Sequence, residues 1–176
     1  MSVPPVFWFT GLSGAGKTTL TNGLQGILQN HKILSCVLDG DEMRKGLCSD
    51  LGFSLEDRSE NIRRIEECAK VITEAGFACI VACITPLHAQ RIFAKQILSE
   101  KYVEIFVSCS LIQCQKRDVK GLYARFDVGA FNDFTGFSSP YEVPITPDLV
   151  LDKEKNSLQC CLNDMRSFIK KRFFAA

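Results

Sequence analysis

The stretch Gly11-Leu-Ser-Gly-Ala-Gly16-Lys17-Thr18 constrains this 176-residue chain more than any other feature. It fits the pattern G-x-x-x-x-G-K-[ST], and it lies between a short apolar run, Val6 to Thr10, and a helical segment. Glycines at these places let the backbone wrap a polyphosphate, so that successive N–H groups and the start of the following helix point at its oxygens. Lys17 is then expected to reach the β- and γ-phosphates and Thr18 to ligate Mg²⁺. A nucleoside triphosphate site follows, without saying which reaction uses it.

The rest of the chain repeats the same alternation. Val6 to Thr10, Ile33 to Leu38, Phe77 to Ile84, Val103 to Ser108 and Leu149 to Leu151 read as strands, with amphipathic stretches between them. That alternation requires crossover helices and predicts an α/β fold: a parallel five-stranded sheet with helices on both faces, of the P-loop NTPase kind. The longest helical pattern places Ile62, Ile65, Ala69 and Ile72 on one face with Arg and Glu on the other. Ser54 and Asp57 read as its capping box, and Gly76 as its stop. Leu87 to Ser99, Leu111 to Asp118 and Ser157 to Phe173 complete the helices. The one long irregular stretch, about residues 121–147, reads as a lid over the site. Residues 1–176 are expected to form one kinase domain.

Composition narrows the partners. Lys plus Arg is 21 and Asp plus Glu is 20, so the formal net charge is 21 − 20 = +1, which gives no global pull toward nucleic acid or an acidic membrane. Anion specificity must be local. The nine cysteines are scattered and sit mostly in apolar runs, which points to reduced thiols. Cys48, expected to be exposed, and vicinal Cys160-Cys161 are the redox handles to consider. No apolar stretch reaches the ~18 residues of a membrane span, and no secretory signal opens the chain, so a cytoplasmic location is expected.

The carboxylates separate the remaining classes. Motor ATPases and GTPases carry an acidic residue at the end of a second core strand, but the run Cys79 to Pro86 ends without one. Asp39-Gly-Asp41 instead follows the strand Ile33 to Leu38, at the carboxyl end of the sheet where open α/β folds place ligands. A carboxylate there can orient metal-bound water or accept a proton from an attacking hydroxyl. Small-molecule kinase is the class that fits. Arg44, Arg58, Arg63 and Arg64 follow, with Phe53 and Asn61 among them. Arg63 and Arg64 are as well explained by a solvated helix face, and Phe53 by the core. Arg58 and Asn61, three apart near a helix start, can face one anion.

These pieces, in order, are Gly11 to Thr19, Leu38-Asp-Gly-Asp41, Arg44-Lys-Gly-Leu47, Asp50-Leu-Gly-Phe-Ser54, Asp57-Arg58, Glu60-Asn-Ile-Arg-Arg64, Arg117-Asp118, Lys120-Gly-Leu-Tyr123, Phe134-Thr-Gly136 and Ser139-Pro-Tyr-Glu142. Together they resemble the adenylyl-sulfate kinase (APS kinase) family from about Val6 to Leu151. The resemblance implies transfer of the ATP γ-phosphate to the 3′-hydroxyl of adenosine 5′-phosphosulfate, in a homodimeric enzyme using Mg²⁺. It implies that Gly11, Gly14, Ala15, Gly16, Lys17, Thr18 and Thr19 hold ATP. Asp41, Arg44, Phe53, Arg58, Asn61, Ile84, Thr85, Lys120, Phe134 and Thr135 would line the acceptor site, with Phe53 and Phe134 sandwiching the adenine. Asp39 or Asp41 would engage the 3′-hydroxyl and the metal shell, with Asp39 favoured as proton acceptor.

Two departures qualify the resemblance. Ile84-Thr85-Pro86 stands where the family has Ile-Ser-Pro, and Ala124-Arg-Phe-Asp-Val-Gly129 stands where it usually has Lys-Lys-Ala-Arg-Ala-Gly. Asp127 thus reverses a lid charge. The chain is also expected to lack the N-terminal extension common in the family. A kinase for a related nucleotide 3′-hydroxyl and a degenerate nucleotide-binding regulatory module are the alternatives.

Overall fold

A computed structural model describes residues 4–119, 121–127 and 135–173. The strands are β1 (Val6–Thr10), β2 (Ser35–Asp39), β3 (Ala78–Ala82), β4 (Tyr102–Ser108) and β5 (Leu149–Asp152). The helices are α1 (Lys17–Asn30), α2 (Gly40–Met43), α3 (Leu55–Glu74), α4 (His88–Leu98), α5 (Leu111–Arg117), α6 (Leu122–Asp127) and α7 (Leu158–Phe173), with a 3₁₀ turn at Ser99–Lys101. All five strands run parallel in the order β2-β3-β1-β4-β5. The expected α/β sheet is therefore present, with its strand bounds shifted by one to two residues at several ends.

Each face of the sheet buries its own core. On one side Phe7 and Phe9 of β1 pack with Leu20, Leu24 and Leu28 of α1 and with Met165 and Ile169 of α7. On the other, Val6 and Trp8 pack with Ile62, Ile65 and Ala69 of α3 and with Ala94 and Leu98 of α4. Every residue of β1 and β3 is buried, which is why both read as unbroken apolar runs rather than alternations. At the carboxyl ends of the strands the residues that follow β1, β2 and β3 converge on one cleft.

Local chemistry sets the ends of α3. The Ser54 hydroxyl accepts from the Asp57 N–H at 3.1 Å, as a cap should. The Asp57 carboxylate does not close the expected box: it accepts from Gly52 N–H at 3.0 Å and so holds the preceding turn. At the other end Gly76 takes φ +91°, its N–H bonds Thr73, and Phe77 N–H bonds Ile72, which stops the helix in a Schellman motif.

Three expectations need correction. Glu66 lies one residue past Ile65 and falls on the buried face of α3, fully buried, not on its polar face. Cys48 is buried as well, and burial pushes its thiol up, so it is not an exposed redox handle. All nine cysteines are free, and only Cys160 is exposed. The stretch read as irregular from Gly121 begins with a helix, α6, whose first N–H groups at Tyr123 and Ala124 are taken by the Asp118 carboxylate. Those same bonds lower the Asp118 pKa. The short helix α2, capped when Asp39 accepts from Asp41 N–H, carries no periodicity that a sequence of four residues could reveal.

Candidate active site

The loop after β1 makes one wall of a cleft of about 290 Å³. It can turn so sharply because Gly11 has φ +151° and a Cβ there would sit 2.6 Å from the Val107 carbonyl oxygen. Gly14 has φ +76° and packs its backbone 3.1 Å, measured from an added Cβ, against the Cys114 carbonyl of α5. The loop is thus wedged between β4 and α5. Gly16 caps α1 from the left-handed region, so the first N–H groups of α1 face the cleft. Lys17 lies in the loop's mouth and donates to the Gly11 and Leu12 carbonyls at 2.8 and 2.9 Å.

The carboxylates come from the end of β2. Thr18 donates its hydroxyl to Asp39 Oδ2 at 2.9 Å, and Asp39 Oδ1 accepts from Asp41 N–H, also at 2.9 Å. Two hard oxygen donors, Thr18 Oγ1 and Asp39 Oδ2, therefore stand side by side at the sheet edge, a donor set that suits Mg²⁺. Asp41 lines the same cleft.

The facing wall is built from α3 and the turn before it. Phe53 is 57% exposed, and the Arg44 guanidinium lies 4.6 Å from its ring centroid. Arg44 also holds the Gly52 carbonyl at 2.7 Å. Arg58 Nε donates to the Phe53 carbonyl at 2.8 Å, and its Nη1 donates to the hydroxyl of Thr135. Asn61, one turn on from Arg58, is only 3% exposed, and its Oδ1 is buried with no hydrogen-bond partner. Asn61 lines the cleft, and a buried amide oxygen without a partner among the described residues is an acceptor that a ligand's donor can satisfy.

The floor is Ile84 to Pro86. The Ile84 carbonyl takes the Thr10 hydroxyl at 2.6 Å. Thr85 holds the left-handed φ of +44°, is 1% exposed, and accepts the Trp8 Nε1 proton on its own hydroxyl at 2.8 Å. Thr85 lines the cleft, but its hydroxyl is a partner of the core indole.

Gly14, Gly16, Lys17, Thr18, Thr19, Asp39, Asp41, Arg44, Phe53, Arg58, Asn61, Ile84, Thr85 and Thr135 all line this one cleft. Gly11 shapes it from behind, and Ala15 is fully buried. Lys120, Phe134 and the side chain of Asp127 lie outside the described residues. Arg63 and Arg64 are not in the cleft: both bond Glu60, and Arg64 also takes Asp50 at 2.6 Å and the Leu47 carbonyl. These guanidiniums hold the Glu60 carboxyl down at about 2. Sequence reading did not single out Cys83, Pro86, Val119, Leu122 and Arg125, which also line the cleft. Arg125 was visible only as one basic residue of the altered lid sequence.

The sequence matches the family description "Adenylylsulphate kinase" over residues 3–152. The chain belongs to the adenylyl-sulfate kinase family. It is 45% identical over 168 residues to the adenylyl-sulfate kinase of Acaryochloris marina, covering 95% of this chain and 82% of that one. Against that of Shewanella amazonensis it is 47% identical over 154 residues, or 87% and 78% of the two chains. Among solved structures, the Mycobacterium tuberculosis APS kinase CysC in complex with AMPPNP and APS superposes with a TM-score of 0.90 at 36% identity, covering 96% of this chain and 98% of that one. The P-loop kinase fold and an ATP-using kinase activity follow from this membership. Among the described residues no helix is long and apolar enough to cross a membrane.

Proposed function

We propose that this chain transfers the γ-phosphate of ATP to the 3′-hydroxyl of adenosine 5′-phosphosulfate, giving 3′-phosphoadenosine 5′-phosphosulfate and ADP. The observation that carries the reading is the pairing of the two walls: a backbone cradle for a polyphosphate faces Phe53, two guanidiniums and a buried amide oxygen without a partner among the described residues. An adenine can stack on Phe53 and offer its exocyclic N–H₂ to Asn61 Oδ1, while Arg44 and Arg58 take the phosphosulfate.

The 3′-oxygen attacks the γ-phosphorus as the bond from that phosphorus to the β-γ bridging oxygen breaks, and ADP leaves with the electron pair. Phosphoryl transfer asks the protein mainly for alignment and charge stabilisation. The loop N–H groups and Lys17 meet the charge on the transferring group. Thr18 and Asp39 would hold Mg²⁺, which when bound neutralises the β- and γ-oxygens. Asp39 and Asp41 both line the cleft, and with Asp39 given to the metal shell this reading assigns Asp41 to accept the hydroxyl proton. Thr85 acts through its backbone and packing, with no covalent role for a hydroxyl that serves Trp8. The same reading takes residues 1–176 as one domain working as a cytoplasmic homodimer, with no nucleic acid or membrane partner.

The test is a coupled assay of ADP release with adenylyl sulfate, adenosine 5′-monophosphate and other 5′-modified nucleotides. A strong preference for adenylyl sulfate is expected, together with loss of turnover and retained ATP binding in Asp41→Asn. Equal use of the nucleotides, or ATP binding without transfer, overturns the reading in favour of a related kinase or a regulatory module.

A further inference from the structure

Behind the cleft floor lies a cation that the phosphate chemistry does not use. Arg91 of α4 is 3% exposed, and its guanidinium is spent on main-chain oxygens. Nη1 donates to the Thr85 carbonyl at 2.8 Å and to the Pro86 carbonyl at 3.2 Å, and Nη2 donates to the Glu142 carbonyl at 2.8 Å. The Glu104 carboxylate of β4 lies 3.2 Å from Nε, yet no N–H is aimed at that oxygen, so Glu104 balances charge without fixing direction.

The three carbonyls belong to two separate segments. Thr85 and Pro86 form the floor of the cleft, and Glu142 lies on the return of the chain that starts from Thr135. The two segments are also joined directly: Glu142 N–H donates to the Pro86 carbonyl at 2.9 Å, and the Glu142 carboxylate takes the N–H of His88 at the start of α4. One residue earlier, the Tyr141 hydroxyl meets Thr10 Oγ1 at 3.1 Å, and that threonine is the residue holding the Ile84 carbonyl.

The floor needs such restraint. Thr85 is β-branched and sits at φ +44°, a conformation that an unrestrained threonine leaves. A guanidinium can hold three carbonyls at once because its donors form a rigid planar fork, which the single ammonium of a lysine does not reproduce. We propose that Arg91 is a positioning residue for the acceptor substrate: its buried guanidinium fixes the Ile84 to Pro86 turn and ties it to Glu142, so that the acceptor pocket and the segment beside it form together. The inference rests on the assignment of the acceptor site made above. Arg91 touches neither substrate and acts through the Thr85 backbone.

Arg91→Lys tests this in steady-state assays with each substrate varied in turn. The expected result is a rise of roughly tenfold or more in KM for adenylyl sulfate with KM for ATP within about twofold, because the phosphate loop is held from the other side by β4 and α5. An unchanged KM for adenylyl sulfate in the folded variant, or an equal rise in both constants, overturns it. Amide hydrogen exchange on the unaltered protein gives a second reading that needs no variant to fold. Adenylyl sulfate should slow exchange at Glu142 N–H, and the ATP analogue alone should not; no slowing with adenylyl sulfate overturns the coupling. Failure of the wild-type protein to turn over adenylyl sulfate counts against the substrate assignment instead, so the two failures are told apart.

Discussion

The two walls of the cleft are built on opposite plans. The phosphate loop is eight consecutive residues whose shape comes from glycine backbone pressed against β4 and α5, and of its side chains only Lys17 carries charge. The facing wall is assembled from side chains of the Arg44 to Ser54 turn and α3, held by guanidinium bonds to the Gly52 and Phe53 carbonyls and to Thr135. A wall made of backbone presents N–H groups that only proline deletes, so apart from the glycines that shape the loop its weak point is the one charge. A wall made of side chains can be weakened one residue at a time, and it depends on the helix that carries them.

The largest effect is therefore expected at Lys17. Lys17→Ala should lower kcat by roughly 10³-fold, the scale of losing a charge aimed at the transferring phosphoryl group, with the fold intact by circular dichroism. Only a small loss would mean that the loop N–H groups carry the charge stabilisation unaided, and the contrast between the walls would vanish.

Next comes a weakness that only the α3 wall has. Glu66 lies five residues beyond Asn61 on the same helix, with neither carboxylate oxygen hydrogen-bonded, and burial pushes its pKa up to about 8. In the unfolded chain it ionises near 4.3. Between those values the native state binds the extra proton, so stability is fully present below about pH 4 and is lost as pH rises through about 8. The loss between pH 5 and pH 8 is on the order of 3 kcal/mol, and Glu66→Gln should remove most of that slope in urea unfolding. Parallel curves for the two proteins would show that the carboxylate finds a partner at high pH.

How much of this was legible follows the same division. The phosphate loop is contiguous, and each of its residue types has one reason to be there, so the string Gly11 to Thr18 sufficed. Phe53, Arg58 and Asn61 were legible as a cluster because one helix start brings them together. The floor was not. Trp8 with Thr85 and Tyr141 with Thr10 are bonds across 77 and 131 residues, and no local pattern announces them. Glu66 was misjudged for a related reason: charge marked it as solvent-facing, while its angle on α3, about 40° from Ile62, determines that it is buried. Asp57 was read by its spacing from Ser54, but its carboxylate found the Gly52 N–H nearer.

A third, smaller effect sharpens the side-chain plan itself. Phe53 is more than half exposed and packs mainly under Arg44, so truncation costs the fold little. Base stacking on an aromatic ring contributes about 1–3 kcal/mol, so Phe53→Ala should raise KM for adenylyl sulfate by roughly 5-fold to 150-fold. KM for ATP should stay within about twofold. Equal rises in both constants would show that the two walls are not independent.

The smallest effect is expected at Arg63, and it marks where the α3 wall ends. Arg63 and Arg58 lie on the same helix, five residues apart, and by composition alone either could meet an anion. Arg58 points across to Thr135 in the cleft, whereas Arg63 turns to Glu60 at 2.7 Å with about half of its side chain in solvent. An ion pair in that setting contributes little, because water screens the charges and the pair must order two long side chains. Arg63→Ala should leave both KM values within about twofold and shift the thermal midpoint by no more than about a degree. A tenfold rise in KM for adenylyl sulfate would extend the binding wall around to the outer face of α3, and Glu60 would then be a competitor for the substrate's charge rather than a partner in a surface pair.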